Sequence, residues 1–229
     1  MKPLKAESTI RKPAVKAAKT TVPAKVSRRT PEPEPEPKPY HHGNLRESLL
    51  EAADIVLARE GALGITLREV AKQAGVSHAA PYHHFASLDD MLAAVAERGF
   101  LRLSEAMATR AQAADSGERL LQITDVYVSC ARANPAQFRL MFGPLLARKS
   151  EFPPLKVAAE SAFGLVHAAA RAHDAEDGSA LALVCWSFAH GLSNLLIDGA
   201  FDGLPMELPA VSVLTKQLAQ RVLMGVAIK

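Results

Sequence analysis

The chain has 229 residues, of which 48% are hydrophobic, and this share of apolar side chains can form a core and excludes disorder for most of the length. Its formal net charge of +3 comes from the first 39 residues, which hold ten Lys or Arg and four Glu, because the other 190 residues carry 17 basic and 20 acidic side chains. The sequence contains no phosphate-binding glycine loop, no His-Glu-x-x-His and no spaced pair of cysteines, so it predicts neither an enzyme nor a bound metal or cofactor.

Residues 1–39 are predicted to be a disordered, basic, proline-rich tail. Residues 1–30 are rich in Lys, Ala, Pro and Thr and poor in large apolar side chains, so they cannot bury enough surface to fold alone. The repeat PEPEPEPKP that follows favours a polyproline II spacer of about 28 Å, at ~3.1 Å per residue. Three interpretations stay open: a solvated extension, a cationic arm that attracts nucleic acid, and a transit peptide, which the proline-rich spacer fits poorly.

The first two helices are predicted from their caps and their apolar spacing. Residues 44–61 begin with an Asn-x-x-Glu cap, carry apolar side chains at helical spacing and end on a glycine. Thr66 and Glu69 fit a Ser/Thr-x-x-Glu capping box, which predicts that a second helix begins just after Thr66. Gly75 is expected to end this helix, because glycine adopts a positive φ without a steric penalty.

Two further helices follow closely in the sequence. A short one is predicted at about residues 78–84, with Ser77 as its cap. Ser87 is then expected to cap a longer helix that begins at Leu88 and continues towards Met107, with acidic side chains in its first turn.

The segment TLREVAKQAGVSHAAPYHHF, residues 66–85, therefore has the pattern of two short helices joined by a glycine turn, which is a helix-turn-helix. Together with the SLDDMLAAV that follows, it resembles the N-terminal domain of the TetR/AcrR family of transcriptional regulators, and the resemblance covers residues 43–105. The chain departs from the family pattern at two positions, because Pro81 replaces a common leucine and Leu88 replaces a common lysine that holds a phosphate. We expect Pro81 to distort the start of the recognition helix and Leu88 to remove one contact with the DNA backbone.

The resemblance implies which side chains contact double-stranded DNA. Those expected near base edges are Arg68, His78, Ala79, Tyr82 and His83, and those expected near phosphates are Thr66, Ser77 and His84. Arg68 is expected to recognise guanine, because its guanidinium can donate to both O6 and N7. The alternative for Tyr82 is packing in the core. The alternative for Arg68 is a surface ion pair with Glu69 or Glu47.

Residues 118–227 are predicted to form a C-terminal helical domain. Proline, glycine and asparagine breaks separate helices near 118–133, 135–147, 154–173, 178–199 and 206–226. Residues 178–197 run without a charge for the length of a membrane span. Their polar side chains at helical spacing favour an interface between proteins instead, so no membrane association is predicted.

Trp186, His190 and Gly191 form a Trp-x-x-x-His-Gly element, and together with Asn134 and Pro135 this element resembles the C-terminal domain of the TetR subgroup named after its Trp-His-Gly motif. The resemblance implies a helical domain that binds a small effector inside and pairs its last two long helices with a second subunit. The predicted fold class is therefore all-α, with an N-terminal three-helix helix-turn-helix domain and a C-terminal helical ligand-binding and dimerisation domain. Such a homodimer would hold its recognition helices about 34–36 Å apart and bind a palindromic operator.

The candidate effector residues combine apolar rings with a few polar atoms, as small-molecule sites do. They are Tyr127, Phe138, Phe142, His167, Trp186 and His190, with Met141 and Phe163 beside them. The alternative is that they are core residues, in which case His190 is an interior histidine with satisfied hydrogen bonds. Trp186 and His190, four residues apart, are predicted to share one helix face.

The sequence thus predicts a ligand-responsive repressor, by family analogy, that binds a palindromic operator as a homodimer and is released by a small molecule. Cys130 and Cys185 lie in apolar helical segments, which indicates reduced thiols and a cytoplasmic location. Two alternatives stay open: a nonspecific DNA-binding protein that acts through its basic tail, and a helical protein that binds only other proteins.

Overall fold

The computed structural model describes residues 45–226, and every regular element within them is a helix. The α-helices are α1 (Leu45–Gly64), α2 (Leu67–Ala74), α3 (Leu88–Arg110), α4 (Ser116–Ala133), α5 (Pro135–Met141), α6 (Pro144–Ala147), α7 (Pro153–His173), α8 (Gly178–Ile197) and α9 (Val211–Val226). Two 3₁₀ helices, Ala80–His83 and Lys149–Glu151, lie between them. The predicted all-α fold is confirmed for this part of the chain, and the predicted disordered tail, residues 1–39, lies outside the described residues.

Side-chain caps set the start of two N-terminal helices where they were expected. The hydroxyl of Thr66 accepts a hydrogen bond from the backbone N–H of Glu69 at 3.1 Å, at the start of α2. The hydroxyl of Ser87 accepts from the backbone N–H of Asp90, also at 3.1 Å, at the start of α3. Both predicted helix starts are confirmed.

Two glycines with positive φ set the geometry at the ends of α1 and α2. Gly61 has φ 71° and ψ 177°, so the regular part of α1 ends there, as predicted, before one further turn. Gly75 is left-handed, with φ 69° and ψ 30°. The N–H of Gly75 donates to the carbonyl of Lys72 at 3.2 Å, and that of Val76 donates to the carbonyl of Ala71 at 3.0 Å. These two bonds form a Schellman motif, which reverses the chain towards the recognition segment.

Gly75→Ala is expected to lower the free energy of unfolding by about 1–2 kcal/mol, because a Cβ disfavours the left-handed conformation. Crowding plays no part, since an added Cβ would meet no atom within 4 Å. Gly164, inside α7, is the matched control, because its surroundings are equally open and its φ is ordinary. Alanine favours the helix more than glycine does, so Gly164→Ala should raise the free energy of unfolding by up to about 1 kcal/mol. Urea unfolding at one protein concentration measures both variants. Equal destabilisation by the two would contradict this explanation.

Two predictions in the C-terminal part are wrong in detail, and proline explains both. The predicted helix 135–147 is two helices, α5 and α6, because Pro144 disfavours the helical conformation at the preceding glycine, which has φ −81° and ψ −168°. The predicted start of the last helix at residue 206 is also wrong, since α9 begins at Val211. Pro209 lacks an N–H donor and disfavours helix at the residue before it, so the chain becomes helical only after Pro209.

One hydrophobic core runs through the described residues, which belong to a single compact unit. α3 packs against α7 and α4, and α4 packs against α8 and α9. Phe100 of α3 and Tyr127 of α4 are fully buried in this core. α5 contacts both α1 and α3, so it connects the C-terminal part to the first helix.

The helix α8 is long and apolar enough to cross a membrane by length and composition alone. It packs against α4, α7 and α9, and 33% of its most apolar stretch is buried. The hydroxyl of Ser193 donates to the carbonyl of Ala189 at 2.7 Å inside the helix. These are the contacts of a helix in a packed domain, and one helix of this kind does not indicate a membrane protein.

Candidate nucleic-acid interface and interior aromatic cluster

The side chains predicted to contact DNA are all exposed: Thr66, Arg68, Ser77, His78, Ala79, Tyr82, His83 and His84. Tyr82 is 64% exposed, so its alternative role, packing in the core, is excluded. Ala80, Pro81 and Phe85 are buried in the same segment. The segment therefore anchors itself with small and apolar residues and turns its polar ones outward, and contact of these polar residues with DNA stays a prediction.

The recognition segment differs from the α-helix predicted over residues 78–84. It is a four-residue 3₁₀ helix, Ala80–His83, and no side chain caps it, so the predicted cap at Ser77 is wrong. The backbone N–H of His84 donates three residues back, to the carbonyl of Pro81, at 3.0 Å. Pro81 explains this geometry, because it has no N–H to donate and disfavours α-helical geometry at the residue before it. The expected distortion therefore affects the whole segment and not only its start.

Arg68 has an exposed side chain on α2, and within residues 45–226 it forms no ion pair. Its two alternative partners are engaged with other cations. A carboxylate oxygen of Glu69 lies 4.0 Å from Nζ of Lys72, and one of Glu47 lies 3.1 Å from Nη2 of Arg98. The ion-pair alternative for Arg68 is therefore wrong, and its guanidinium donors are available to another molecule.

Sequence reasoning misses two cations beside this surface. Lys72 lies four residues after Arg68, and its side chain is 75% exposed, so the two cations share one face of α2. The guanidinium of Arg46 lies 5.4 Å from the centroid of the Phe85 ring, next to the recognition segment. The i,i+4 spacing could have identified Lys72, whereas nothing in the sequence links Arg46 to Phe85. Leu88 packs against the core, so it offers no group to a phosphate.

Five of the six candidate effector residues form one aromatic cluster: Tyr127, Phe138, Phe142, Trp186 and His190. Phe142 lies at its centre, with its ring centroid 4.6 Å from that of His190 and 6.0 Å from that of Trp186. Tyr127 meets Trp186 edge to face at 5.2 Å. The predicted shared helix face of Trp186 and His190 is confirmed, because both rings contact Phe142.

The sixth candidate, His167, lies one ring away from the cluster. Its ring stacks on Phe163 with a centroid distance of 6.2 Å, and its Nε2 lies 3.1 Å from the hydroxyl of Ser179. Phe163 in turn contacts Trp186 at 5.5 Å. The structure thus brings five candidates together and leaves His167 at the edge, and effector binding by any of the six stays a prediction.

A single polar pair lies within the aromatic cluster. The hydroxyl of Tyr127 is 3.1 Å from Nδ1 of His190. Burial raises the pKa of the Tyr127 phenol well above its usual range, and burial also lowers the pKa of His190. A neutral phenol and a neutral imidazole can share this hydrogen bond: the hydroxyl donates when Nδ1 carries no proton and accepts when Nδ1 carries it.

The pair predicts a pH-dependent stability. Because burial lowers the pKa of His190 in the folded protein, the unfolded chain binds that proton more readily, and stability is lost as the pH falls through about 6.5, the ordinary pKa of histidine. His190→Gln is expected to remove this part of the pH dependence between about pH 5 and 7. Urea unfolding of both proteins across this range measures the difference. An identical pH dependence in the two would contradict the assignment.

A polar network around Asp54 connects α1, α3 and α5. Its Oδ2 accepts from Nη2 of Arg102 at 3.0 Å and lies 3.6 Å from Nη2 of Arg98. Its Oδ1 accepts from Nε2 of Gln137 at 3.1 Å, and the same amide nitrogen lies 3.4 Å from the carbonyl of Val95. The network ties α5 of the C-terminal part to the first helix of the N-terminal part.

Both cysteines are free thiols. Burial raises the pKa of Cys185 to about 11, and it also raises that of Cys130, where the charge of Arg110 opposes the shift. Protonated thiols are poor nucleophiles, so neither side chain has the character of a reactive cysteine.

An exposed helix-turn-helix ahead of a larger helical domain defines a helix-turn-helix DNA-binding regulator. Residues 49–95 match the family model "Bacterial regulatory proteins, tetR family", and residues 120–218 match "Tetracyclin repressor-like, C-terminal domain". The chain belongs to the TetR family, as the resemblance predicted. The Trp-His-Gly subtype stays a prediction, because the C-terminal match is to the repressor-like domain in general.

Known proteins are similar to this chain in sequence and in fold. Nucleoid occlusion factor SlmA of Vibrio campbellii is 33% identical over 114 residues, which are 47% of this chain and 56% of SlmA, so the chain spans about half the length of the curated relatives that it matches. A protein with unknown function from Rhodococcus sp. RHA1 is 30% identical, with a TM-score of 0.70 over 82% of this chain and 98% of that one. PfmR, a TetR family transcriptional regulator from Thermus thermophilus, is 19% identical, with a TM-score of 0.57 over 77% and 97% of the two chains, and shows the fold alone.

Proposed function

We propose that the protein is a repressor that binds a palindromic operator as a homodimer and is released by a small molecule. The observation that carries the proposal is the exposed surface of α2 and the recognition segment, where Arg68 forms no ion pair within the described residues and eight predicted contact residues face outward. A guanidinium with free donors and adjacent hydroxyl and imidazole groups suits base edges and phosphates. Within this surface, Arg68, His78, Ala79, Tyr82 and His83 contact bases.

Homodimerisation is proposed through α8 and α9. Both helices leave large apolar side chains exposed: Leu183 and Leu195 on α8 are 59% and 46% exposed, and Val213 and Met224 on α9 are 46% and 69% exposed. Side chains of this kind on the two last long helices are those that a second copy would cover. A twofold axis between them places two recognition segments on one duplex.

The effector site is proposed at the aromatic cluster. Its rings supply an apolar surface, and the Tyr127 and His190 pair supplies the few polar atoms that orient a ligand. A ligand that inserts between these rings would favour another arrangement of α5 and α8, and thereby another spacing of the recognition segments. Operator affinity then falls in proportion to the ligand's preference for that arrangement.

The remaining parts of the proposal concern organisation. We assign DNA binding to residues 43–105, effector binding and dimerisation to residues 118–227, and the cytoplasm as the location. TetR family proteins are DNA-binding regulators, so we infer a binding protein and not an enzyme. Among the described residues, no group of three or more His, Cys, Asp or Glu side chains is arranged to hold a metal ion.

Selection of bound fragments from a random DNA pool tests the central claim. The expected result is a near-palindromic sequence with half-sites about 10–10.5 base pairs apart, centre to centre, or a multiple of that. Repeating the selection with candidate small molecules should identify those that deplete the bound fraction. Enrichment of no sequence above the starting pool would refute the operator proposal.

The alternative, nonspecific binding through the basic tail, differs in the effect of deleting residues 1–39. We expect the deletion to lower the affinity for operator and random DNA alike and to flatten the salt dependence, because the tail holds ten basic residues that displace counterions from phosphates. The ratio of operator to random affinity should stay the same. Filter binding between about 50 and 200 mM salt measures both quantities. Complete loss of binding would favour the alternative.

The similarity to SlmA supports a second candidate, a nucleoid occlusion factor, although the match covers 56% of SlmA. If this chain acted on the nucleoid as a whole, its binding sites would be spread over the chromosome, whereas the sites of a repressor would lie at a few promoters. Mapping of bound sites across the genome distinguishes the two, and we expect a few promoter sites.

A further inference from the structure

Two neighbouring cavities share three lining residues, Arg102, Asn134 and Gln137. The inner cavity has a volume of about 70 Å³, lies between α3, α4 and α5, and has mostly apolar walls such as Leu103 and Phe138. The outer groove has a volume of about 370 Å³ and lies between α1 and α5. A molecule that fills both would extend from a groove lined by two arginines, past the three shared residues, into a smaller cavity with mostly apolar walls.

The exposed charge of the outer groove is positive. The side chains of Arg102 and Arg139 line it and are 50% and 55% exposed, whereas Asp54 is only 22% exposed. Both oxygens of Asp54 already accept hydrogen bonds, from Arg102 and from Gln137. The two guanidinium groups still have free hydrogen-bond donors, because each carries five N–H groups. Arg139 pairs with one carboxylate, that of Asp198, which does not line the groove.

Asp54 does not depend on Arg102 alone. If Arg102 turned to another anion, Asp54 would still lie 3.6 Å from Nη2 of Arg98 and accept from Gln137. This partly buried carboxylate would therefore keep a cation and a donor beside it, so the exchange leaves no unpaired charge. The groove can thus take an anion without disrupting the fold.

We propose that the two cavities bind one small organic anion with a short apolar end. Its anionic group, a carboxylate or a similar oxyanion, lies in the groove on Arg102 and Arg139, since guanidinium groups pair with such oxygens through charge-assisted hydrogen bonds. Its apolar end enters the inner cavity, which has room for roughly two or three heavy atoms if each takes the ~30 Å³ share of a water molecule. The arginines therefore select the charge of the ligand, and the volume of the inner cavity limits the size of its apolar end.

Binding would have a consequence for α1. An anion on Arg102 competes with Asp54, so it weakens one of the contacts that hold α3 to α1, the first helix of the helix-turn-helix domain. This consequence rests on the proposed function, because it assumes that the packing of α1 on α3 sets operator affinity. The binding itself does not depend on DNA.

Calorimetric titration of the full chain with hexanoate, without DNA, tests the site. Hexan-1-ol and hexylammonium serve as neutral and cationic probes of the same length. Hexanoate should bind at least about tenfold more tightly than either, which is the size of effect that charge-assisted hydrogen bonds produce. Arg102→Gln and Arg139→Gln should each weaken hexanoate binding about tenfold. Arg132→Gln is the matched control, because Arg132 is an exposed cation on α4 that lines neither cavity.

Several results would overturn the site: no binding of hexanoate at about 10 mM, equal affinity for hexanoate and hexan-1-ol, or an unchanged affinity in both arginine variants. Arg139→Gln, at a half-exposed position, keeps the test valid if Arg102→Gln fails to fold. A titration of operator DNA separates the two proposals. If hexanoate binds but operator affinity stays unchanged, the site is supported and its link to α1 is overturned. If no operator is found, the proposed function is refuted and the hexanoate result still stands.

Discussion

Arg68→Ala is expected to abolish most of the sequence preference of the protein and to leave a folded protein that still binds DNA. A bidentate contact between arginine and guanine discriminates by about 1–3 kcal/mol, which is roughly fivefold to 150-fold in each half-site. A homodimer makes the contact twice, so the ratio of operator to random affinity should fall by at least about thirtyfold. Because Arg68 is exposed and forms no ion pair within residues 45–226, its loss removes no contact that stabilises the fold.

Fluorescence anisotropy with the selected operator and a scrambled duplex measures this ratio. Lys72→Ala is the matched control, since Lys72 is a cation on the same face of α2, one turn further on. It is expected to lower both affinities alike and to reduce the salt slope by about one, as the loss of a phosphate contact does. If Arg68→Ala kept the full ratio while Lys72→Ala lowered it, Arg68 would not be the residue that recognises bases.

The ends of the helices around this surface can be predicted from the sequence because their causes are local. Thr66 and Ser87 each bond to a backbone N–H three residues later, and Gly75 supplies the one conformation that closes α2. The effect of Pro81 is harder to predict, since a missing donor and a steric preference act together and convert the whole recognition segment to a 3₁₀ helix. Local chemistry therefore gives the position of the motif but not the geometry of its last helix.

Contacts between distant segments do not follow from the sequence. The i,i+4 spacing of Trp186 and His190 predicts their shared face, yet their common partner Phe142 depends on where α5 ends before Pro144. The hydrogen bond between Gln137 and Asp54 joins residues that are 83 apart, and no pattern in either helix indicates it. The aromatic composition of the candidate site is visible in one sequence, whereas its connection to the DNA-binding part requires the packing of α5.

That packing is the basis of the second large effect, a loss of stability in Phe138→Ala. Phe138 is 4% exposed, and its ring centroid lies 5.1 Å from that of Phe142, 5.2 Å from that of His190 and 5.9 Å from that of Tyr127. Removing a buried phenyl ring lowers the free energy of unfolding by about 3–5 kcal/mol. The ring also forms one wall of the inner cavity, so truncation enlarges a void that three helices already border and that cannot collapse easily.

Urea unfolding followed by circular dichroism, at one protein concentration because a dimer is expected, measures the effect. Phe138→Leu retains most of the volume and should lower the free energy by less than half as much as alanine does. Leu63→Ala is the matched surface control: its side chain is fully exposed, so the change should stay within about 0.5 kcal/mol. If Phe138→Ala behaved like Leu63→Ala, the aromatic cluster would not be part of the core. α5 contacts both α1 and α3. If Phe138 belongs to one core with these helices, Phe138→Ala should lower the urea midpoint of the whole described part, and the N-terminal and C-terminal helices should unfold in a single transition.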